Sequence, residues 1–376
     1  MKRKICFITA APATVDAFLK QHILVLAGDF NITVVTDLAG AKLALPDDIA
    51  QKDISISRRI SILSDLKALA KLTSFISAAG FDAVISVMPK AGLLSMFSAF
   101  LSRVPIRLHW FTGQVWSTRT GFMRILLKAC DFITARSATH LLADSETQRQ
   151  FLLAEGIADK SKLKIIHKGS ISGVNLSRFA INQEARDDVR RSLEVSDKTL
   201  LFLFLGRLNR DKGVPELIEA FSSLAEELPN ICLAIIGPDE QNLMPELKIL
   251  AKKQLSKIHF QGFTDKPENF FAAADVFVLP SHREGFGTSV IEAAALEVPA
   301  IGSRIYGLED AIEDGVTGLL FSRGKVADLR RAMQEMALSD ANRLRMGKAA
   351  RERVVRDFDS VLVTGKFVNF LRGIGL

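Results

Sequence analysis

The stretch LLFLFLGRLNRDKG, Leu200 to Gly213, sets six apolar residues in a row against a turn carrying Arg207, Arg210, Asp211 and Lys212. After it, Val214–Leu228 carries apolar residues at helical spacing, so the segment reads as strand, basic loop, helix. The unit recurs in both directions. Downstream, short apolar runs at Ile231–Ile236, His259–Phe263, Val276–Pro280 and Gly318–Phe321 alternate with helical patterns. Upstream lie runs at Lys4–Ala10, Asn31–Asp37, Asp82–Met88, Ile106–Phe111, Thr139–Asp144 and Leu163–Lys168. Helical spacing separates them at Val15–Ala27, Ile62–Ala79, Gly92–Leu101, Phe122–Arg136 and Thr147–Ala154. Such alternation predicts α/β architecture with parallel sheets.

With 376 residues and 48% hydrophobic content the chain is too long for one ordinary domain. The pattern lapses between Gly169 and Lys198 into a Gly- and Ser-containing linker and a charged helical stretch, which predicts a boundary near residues 172–173. The chain thus reads as two Rossmann-like halves in tandem. Two such sheets facing each other would bring the carboxyl ends of their strands to a common interdomain cleft, where ligands of open α/β sheets bind.

Cys6, Cys130 and Cys232 lie far apart with no metal-ligand spacing, as suits a reducing compartment. The first apolar run ends at Pro12 and reads as a strand, so no secretory signal is expected. A cytoplasmic protein is expected. The formal charge of +7 suits anionic membrane or phosphorylated ligands. Nucleic acid is disfavoured, because the aromatic residues are almost all Phe in apolar contexts and supply no exposed stacking platform.

Two loops carry candidate chemistry. Arg207 offers a fork of donors and Lys212 a point charge, complementary ways to hold phosphate oxygens; the same loop reads equally as a solvated turn. The run Val276–Pro280 leads into Ser281-His282-Arg283-Glu284-Gly285-Phe286-Gly287-Thr288-Ser289-Val290-Ile291-Glu292. Gly285 and Gly287 permit close backbone approach, and a helix opening near Thr288 presents unpaired N–H groups to an anion such as a diphosphate. Glu284 suits a polar ligand such as a sugar hydroxyl. Glu292 closes Ser289-x-x-Glu292, which is also the pattern of a capping box.

These motifs, Gly206-Arg207 with Lys212-Gly213 and Pro280-Ser281 with Glu284-Gly285-Phe286-Gly287 and Glu292-Ala293, resemble the family 4 glycosyltransferases. Asp275–Ser281, Gly302…Gly307…Ile312–Phe321 and Gly173–Phe179 add to the resemblance. It implies a GT-B fold. An N-terminal acceptor-binding domain would span 1–172 and be completed by 357–376, with a donor-binding domain at 173–356. It implies that Arg207 and Lys212 neutralise the diphosphate of a nucleotide-sugar donor, that Glu284 contacts sugar hydroxyls and that Glu292 bonds the ribose. The backbone of Gly285, Phe286, Gly287, Thr288 and Ser289 would extend the phosphate cradle, and the turn holding Gly262 and Phe263 would read the base. Glu284, Arg207 and Lys212 are the catalytic candidates. Retention of configuration, a UDP-sugar donor, and no metal or other cofactor are further implications.

In the N-terminal half, Val104–Arg107 leading to Thr112-Gly113 is similar to a family segment that ends in His-Gly, with Thr112 at the histidine position. His109, Thr112 and Arg119 are the acceptor-side candidates, His109 reading equally as a structural histidine. Ala10–Thr14 replaces the family's Gly-Gly, and no dinucleotide fingerprint occurs there. Positive charge gathers in this half at Arg103, Arg107, Arg119, Arg124, Lys128 and Arg136, with Arg124 and Lys128 at i and i+4 on one helix alongside Phe122, Leu126 and Leu127. That pattern suits an inner-leaflet membrane surface or an ordinary helix with an apolar core stripe and solvated charges. A glycan or lipid-linked oligosaccharide acceptor in surface-polysaccharide or lipopolysaccharide synthesis is the expectation. A nucleotide-sugar epimerase or hydrolase and a non-catalytic sugar-binding subunit are the alternatives.

Overall fold

Strands that are apolar on both faces need covering on both, and the chain meets that need with two parallel sheets wrapped by helices. The computed structural model describes residues 2–57 and 61–376. It divides into one unit of Met1–Gly173 with Ser360–Leu376 and a second of Val174–Asp359.

In the first unit the strands are β1 (Lys4–Ile8), β2 (Asn31–Thr36), β3 (Ala50–Asp53), β4 (Ala83–Val87), β5 (Ile106–Phe111), β6 (His140–Ala143) and β7 (Leu163–Ile165). They form a parallel sheet in the order β3-β2-β1-β4-β5-β6-β7. The second holds β8 (Leu200–Leu205), β9 (Ile231–Ile236), β10 (Ile258–Gln261), β11 (Val276–Leu279), β12 (Ala300–Ser303) and β13 (Gly318–Phe321). Their order, again parallel, is β10-β9-β8-β11-β12-β13. Strand order reverses between β1 and β4 in one sheet and between β8 and β11 in the other. Loops leaving the carboxyl ends on either side of such a reversal diverge and leave a crevice, the usual ligand position in open α/β sheets.

Two strands escape the sequence pattern. β3 is Ala-Gln-Lys-Asp, an edge strand with mostly exposed side chains, held by its register on β2 and not by burial. β12 is Ala-Ile-Gly-Ser, fully buried but built of small residues that carry little strand propensity. The helix expected from Gly92 begins earlier, at Pro89, which takes the first-turn position where its missing N–H costs nothing. Helix Pro89–Leu101 packs against both Ile62–Ala79 and Gly121–Ser137.

The last helix, Ser360–Gly373, closes the first core. Phe367 and Leu371 are fully buried there with Trp110, Ile23 and Ile171. At this junction stands His22, fully buried, with Nε2 donating to the Ile171 carbonyl at 2.6 Å and Nδ1 accepting from the Thr364 hydroxyl at 2.9 Å. Its ring stacks on Trp110, centroids 6.1 Å apart. Burial holds its pKa down at about 4. His22→Leu strands two buried polar partners and should cost about 1–3 kcal/mol at pH 8. Because the folded pKa lies below the unfolded one, this contribution is complete above pH 6.5 and is lost as pH falls toward 4. Urea unfolding of both proteins should show the gap narrowing over that window.

Candidate active site

Both loops at the reversal point of the second sheet are clamped together. The backbone N–H of His282 donates to the Asp211 carbonyl at 2.8 Å. His282 Nε2 meets Glu216 at 2.8 Å, and Arg283 bonds Asp211 at 3.1 Å. Gly213 makes the approach sterically possible. Its φ is +68°, and a Cβ there would stand 2.1 Å from the Pro280 carbonyl oxygen. On this frame Lys212 Nζ forms an ion pair with Glu284 Oε1, which also accepts from the Ser281 hydroxyl at 2.8 Å. The structure thus brings two of the three catalytic candidates into contact. Oε2 of Glu284 has no partner among the described residues and is available to a ligand hydroxyl.

Arg207, the third, is half-exposed and lies apart from that pair, with Nη1 donating to both oxygens of Glu240 at 2.9 and 3.0 Å. Sequence reasoning missed Glu240. It also missed Gly237, which follows the apolar run Ile231–Ile236. The Gly237 N–H donates to the carbonyls of Gln261 and Gly262 at 3.0 and 3.1 Å, and a Cβ on it would lie 1.9 Å from the Gly206 oxygen. The ends of β8, β9 and β10 are therefore laced through one glycine, and a strand-end Gly in an apolar run was the available signal. Beyond that lacing Phe263 stands 77% exposed, an aromatic face open to a planar ligand.

Helix Thr288–Ala295 begins with Gly287 as its N-cap, in the left-handed region at φ +89°, and no side chain caps it. The N–H groups of Thr288 and Ser289, at its first turn, are therefore left without a side-chain cap and can serve as anion donors. The capping-box alternative fails here, because Ser289 sits inside the first turn and not ahead of it. No hydrogen bond or ion pair among the described residues holds the Glu292 carboxylate, and burial raises its pKa to about 7, against the pull of Arg178. Such a group gains from a ligand hydroxyl. Phe286 is 1% exposed, its ring packed on Phe358 with centroids 5.2 Å apart, so only its backbone can serve a ligand.

In the first unit the acceptor-side candidates separate. His109 is 1% exposed, with Nδ1 on Ser86 at 2.9 Å and its ring against Gly92, where a Cβ would stand 2.2 Å away. Burial lowers its pKa to about 3, so its imidazole is neutral, and its Nε2 is buried without a hydrogen-bond partner among the described residues. Thr112 lies at the carboxyl end of β5, its hydroxyl 3.4 Å from Met88 Sδ. Met88 holds a φ of +76° at the reversal point of this sheet. Arg119 is exposed.

Helix Gly121–Ser137 inverts the ordinary reading of its pattern. Arg124 and Lys128 are each only a third exposed. Both bind Glu155, at 2.9 and 2.6 Å, and lie over the Trp116 ring at 5.0 and 5.6 Å. The apolar side chains face outward instead, with Phe122 74% and Ile125 67% exposed beside Met123 and Leu126. Ile62, Leu63 and Leu66 are likewise exposed at the start of Ile62–Ala79. Both apolar tips are helix N-termini following strands of one parallel sheet, so they lie toward the edge that carries Thr112. Among the described residues no helix is long and apolar enough to cross a membrane, and no group of three or more His, Cys, Asp or Glu is placed to hold a metal ion.

Residues 185–353 match the model of "Glycosyl transferases group 1", and that span contains both clamped loops. Over that span the chain belongs to this glycosyltransferase family. The glycosyltransferase is 29% identical over 325 residues to the capsular polysaccharide biosynthesis glycosyltransferase CapM of Staphylococcus aureus, covering 86% of this chain and 85% of that one. It is 25% identical over 351 residues, 91% and 89% of the two chains, to the UDP-Gal:alpha-D-GlcNAc-diphosphoundecaprenol alpha-1,3-galactosyltransferase of Escherichia coli. Its fold matches sucrose-phosphate synthase from Thermosynechococcus elongatus with a TM-score of 0.83 at 19% identity over 99% of each chain. Anabaena HepE, solved with UDP, matches with a TM-score of 0.79 at 17% identity over 99% of this chain and 100% of that one. The architecture is GT-B.

Gly213→Ala tests the clamp. Gly156 shares the φ of +68° but has nothing within 4 Å of a Cβ, so Gly156→Ala carries the backbone strain alone, about 1 kcal/mol. Gly213→Ala adds the clash with Pro280 and should cost about 1–3 kcal/mol more by chemical denaturation.

Proposed function

We propose that the enzyme takes a sugar from a UDP-sugar and places it, with retained configuration, on a lipid-linked glycan at the cytoplasmic surface of a membrane, as a step in surface-polysaccharide synthesis. The observation that carries this is the pairing of Lys212 with Glu284 at the reversal point of the second sheet, beside the uncapped N-terminus of Thr288–Ala295. One cation, one carboxylate with an unused oxygen, and a row of outward N–H groups form a site for a molecule that is phosphate at one end and hydroxyl-rich at the other. The uridine donor and lipid-diphosphate acceptor rest on the Escherichia coli relative, whose name specifies both, and the pathway on the two polysaccharide relatives.

In this reading the diphosphate lies against the helix N-terminus with Lys212 and Arg207, Glu284 Oε2 takes sugar hydroxyls, and Glu292 takes the ribose. As the anomeric C–O bond breaks, negative charge grows on the departing UDP where these fixed donors already point, so no reorganisation is needed. The acceptor hydroxyl attacks from the face the phosphate leaves, forms the new C–O bond, and gives its proton to a phosphate oxygen. The second-unit residues stabilise charge and orient the sugar, and no protein base is required.

The outward apolar tips of the first unit suit an acceptor held at a bilayer, because side chains such as Phe122 and Ile125 gain by leaving water at the headgroup boundary. Phe122→Ser with Ile125→Ser should weaken binding to phosphatidylglycerol-containing vesicles by about tenfold in a sedimentation assay. Equal binding of the variant would remove this face from the reading. In a thermal-shift screen of UDP, GDP and ADP, UDP should raise the melting temperature, and Arg207→Ala should abolish most of the rise while leaving the unliganded value within a degree or two. Absence of any response would count against the donor site.

A further inference from the structure

Arg207 is a long, half-exposed side chain, and one such would ordinarily sample many rotamers. Here it is held. Only Nη1 is engaged by Glu240, and Nε and Nη2 have no partner among the described residues. The carboxylate that holds it is itself built in. Beyond the last regular pairing of β8 with β9, Leu208 N donates to the Pro238 carbonyl at 2.9 Å and Glu240 N to the Leu208 carbonyl at 3.2 Å, so the ladder continues past the sheet edge as an isolated bridge. Asp239 fixes the turn that follows, accepting the N–H groups of Gln241, Leu243 and Met244 at 3.3, 2.9 and 2.9 Å. Glu240 Oε2 also accepts from Asn209 Nδ2 at 3.1 Å, while Asn209 Oδ1 accepts from the Lys212 N–H at 3.1 Å. Asn209 is buried, and it ties the backbone of one cation to the carboxylate that holds the other.

We propose that Glu240 is a positioning residue for donor binding. It grips one terminal nitrogen of Arg207 so that the Nε–Nη2 edge of the guanidinium is presented, already ordered, to the diphosphate, and it keeps that grip when the donor is bound. The inference rests on the reading of Arg207 as a diphosphate ligand. A carboxylate so close to a phosphate site would weaken anion binding if it acted by charge alone, so the sign of its effect is diagnostic. A competing anion, once removed, tightens nucleotide binding; a positioning residue, once removed, loosens it.

The test is calorimetric titration of UDP into four proteins: wild type, Glu240→Gln, Arg207→Ala and the double variant. Positioning predicts that Glu240→Gln, which exchanges a charge-assisted bond for a neutral one, weakens UDP binding about fivefold, that it has no further effect in the Arg207→Ala background, and that its melting temperature matches wild type. Unchanged or tighter binding in Glu240→Gln overturns the proposal, as does an equal loss in the Arg207→Ala background or a lowered melting temperature. Failure of wild type to bind any of UDP, GDP or ADP overturns the donor-site reading itself. Wild-type binding of UDP with no effect of Glu240→Gln overturns only the role of Glu240.

Discussion

The close approach of Gly213 to the Pro280 carbonyl is the constraint on which the rest of the candidate site depends. Parallel sheets deliver loops to one edge but do not join them, and at a reversal of strand order they send them apart. In the second unit the loops after β8 and β11 straddle that reversal, yet they touch at backbone level because one residue lacks a side chain. Everything polar follows from this contact. The bonds of His282 and Arg283 to Glu216 and Asp211 fall into place around it, and Lys212 comes within reach of Glu284.

A site assembled this way has its cations already neutralised by carboxylates. Lys212 meets Glu284 and Arg207 meets Glu240, so neither positive charge is left bare in a half-solvated loop. The two pairs differ in what they leave open. Glu284 keeps one oxygen unengaged, and Arg207 keeps two nitrogens unengaged, among the described residues. In the proposed reading, opposite ends of a sugar diphosphate would be met by the unused halves of two ion pairs, a division that depends on geometry and not on net charge.

Much of the architecture is legible in the sequence for a physical reason. Strands buried on both faces, such as β8 and β11, read as unbroken apolar runs, and the charged loops that follow them stand out by contrast. The unread parts lack that contrast. β3 is polar because it is an exposed edge, and β12 is small-residued where side chains pack on its face; a Cβ on Gly302 would lie 2.6 Å from Ile312 Cδ1. The role of Glu240 is set by a backbone bridge between Leu208 and Asp239, which no local pattern announces. His109 and the helix Gly121–Ser137 were ambiguous in sequence because burial decides their meaning. A histidine packed on Gly92 is core, and a helix whose cations are tied to Glu155 leaves its apolar side chains to face out.

The return of Ser360–Gly373 to the first unit also bears on the order in which the molecule can be built. Phe367 and Leu371 complete a core whose other walls, Trp110, Ile23 and Ile171, are translated much earlier. Chains emerge and fold from the amino terminus at about 5–20 residues per second, so the second unit is synthesised whole while the first still lacks one wall. For roughly ten seconds or more on that scale, His22 and Trp110 sit at an open seam. The first unit to leave the ribosome is the last to be finished.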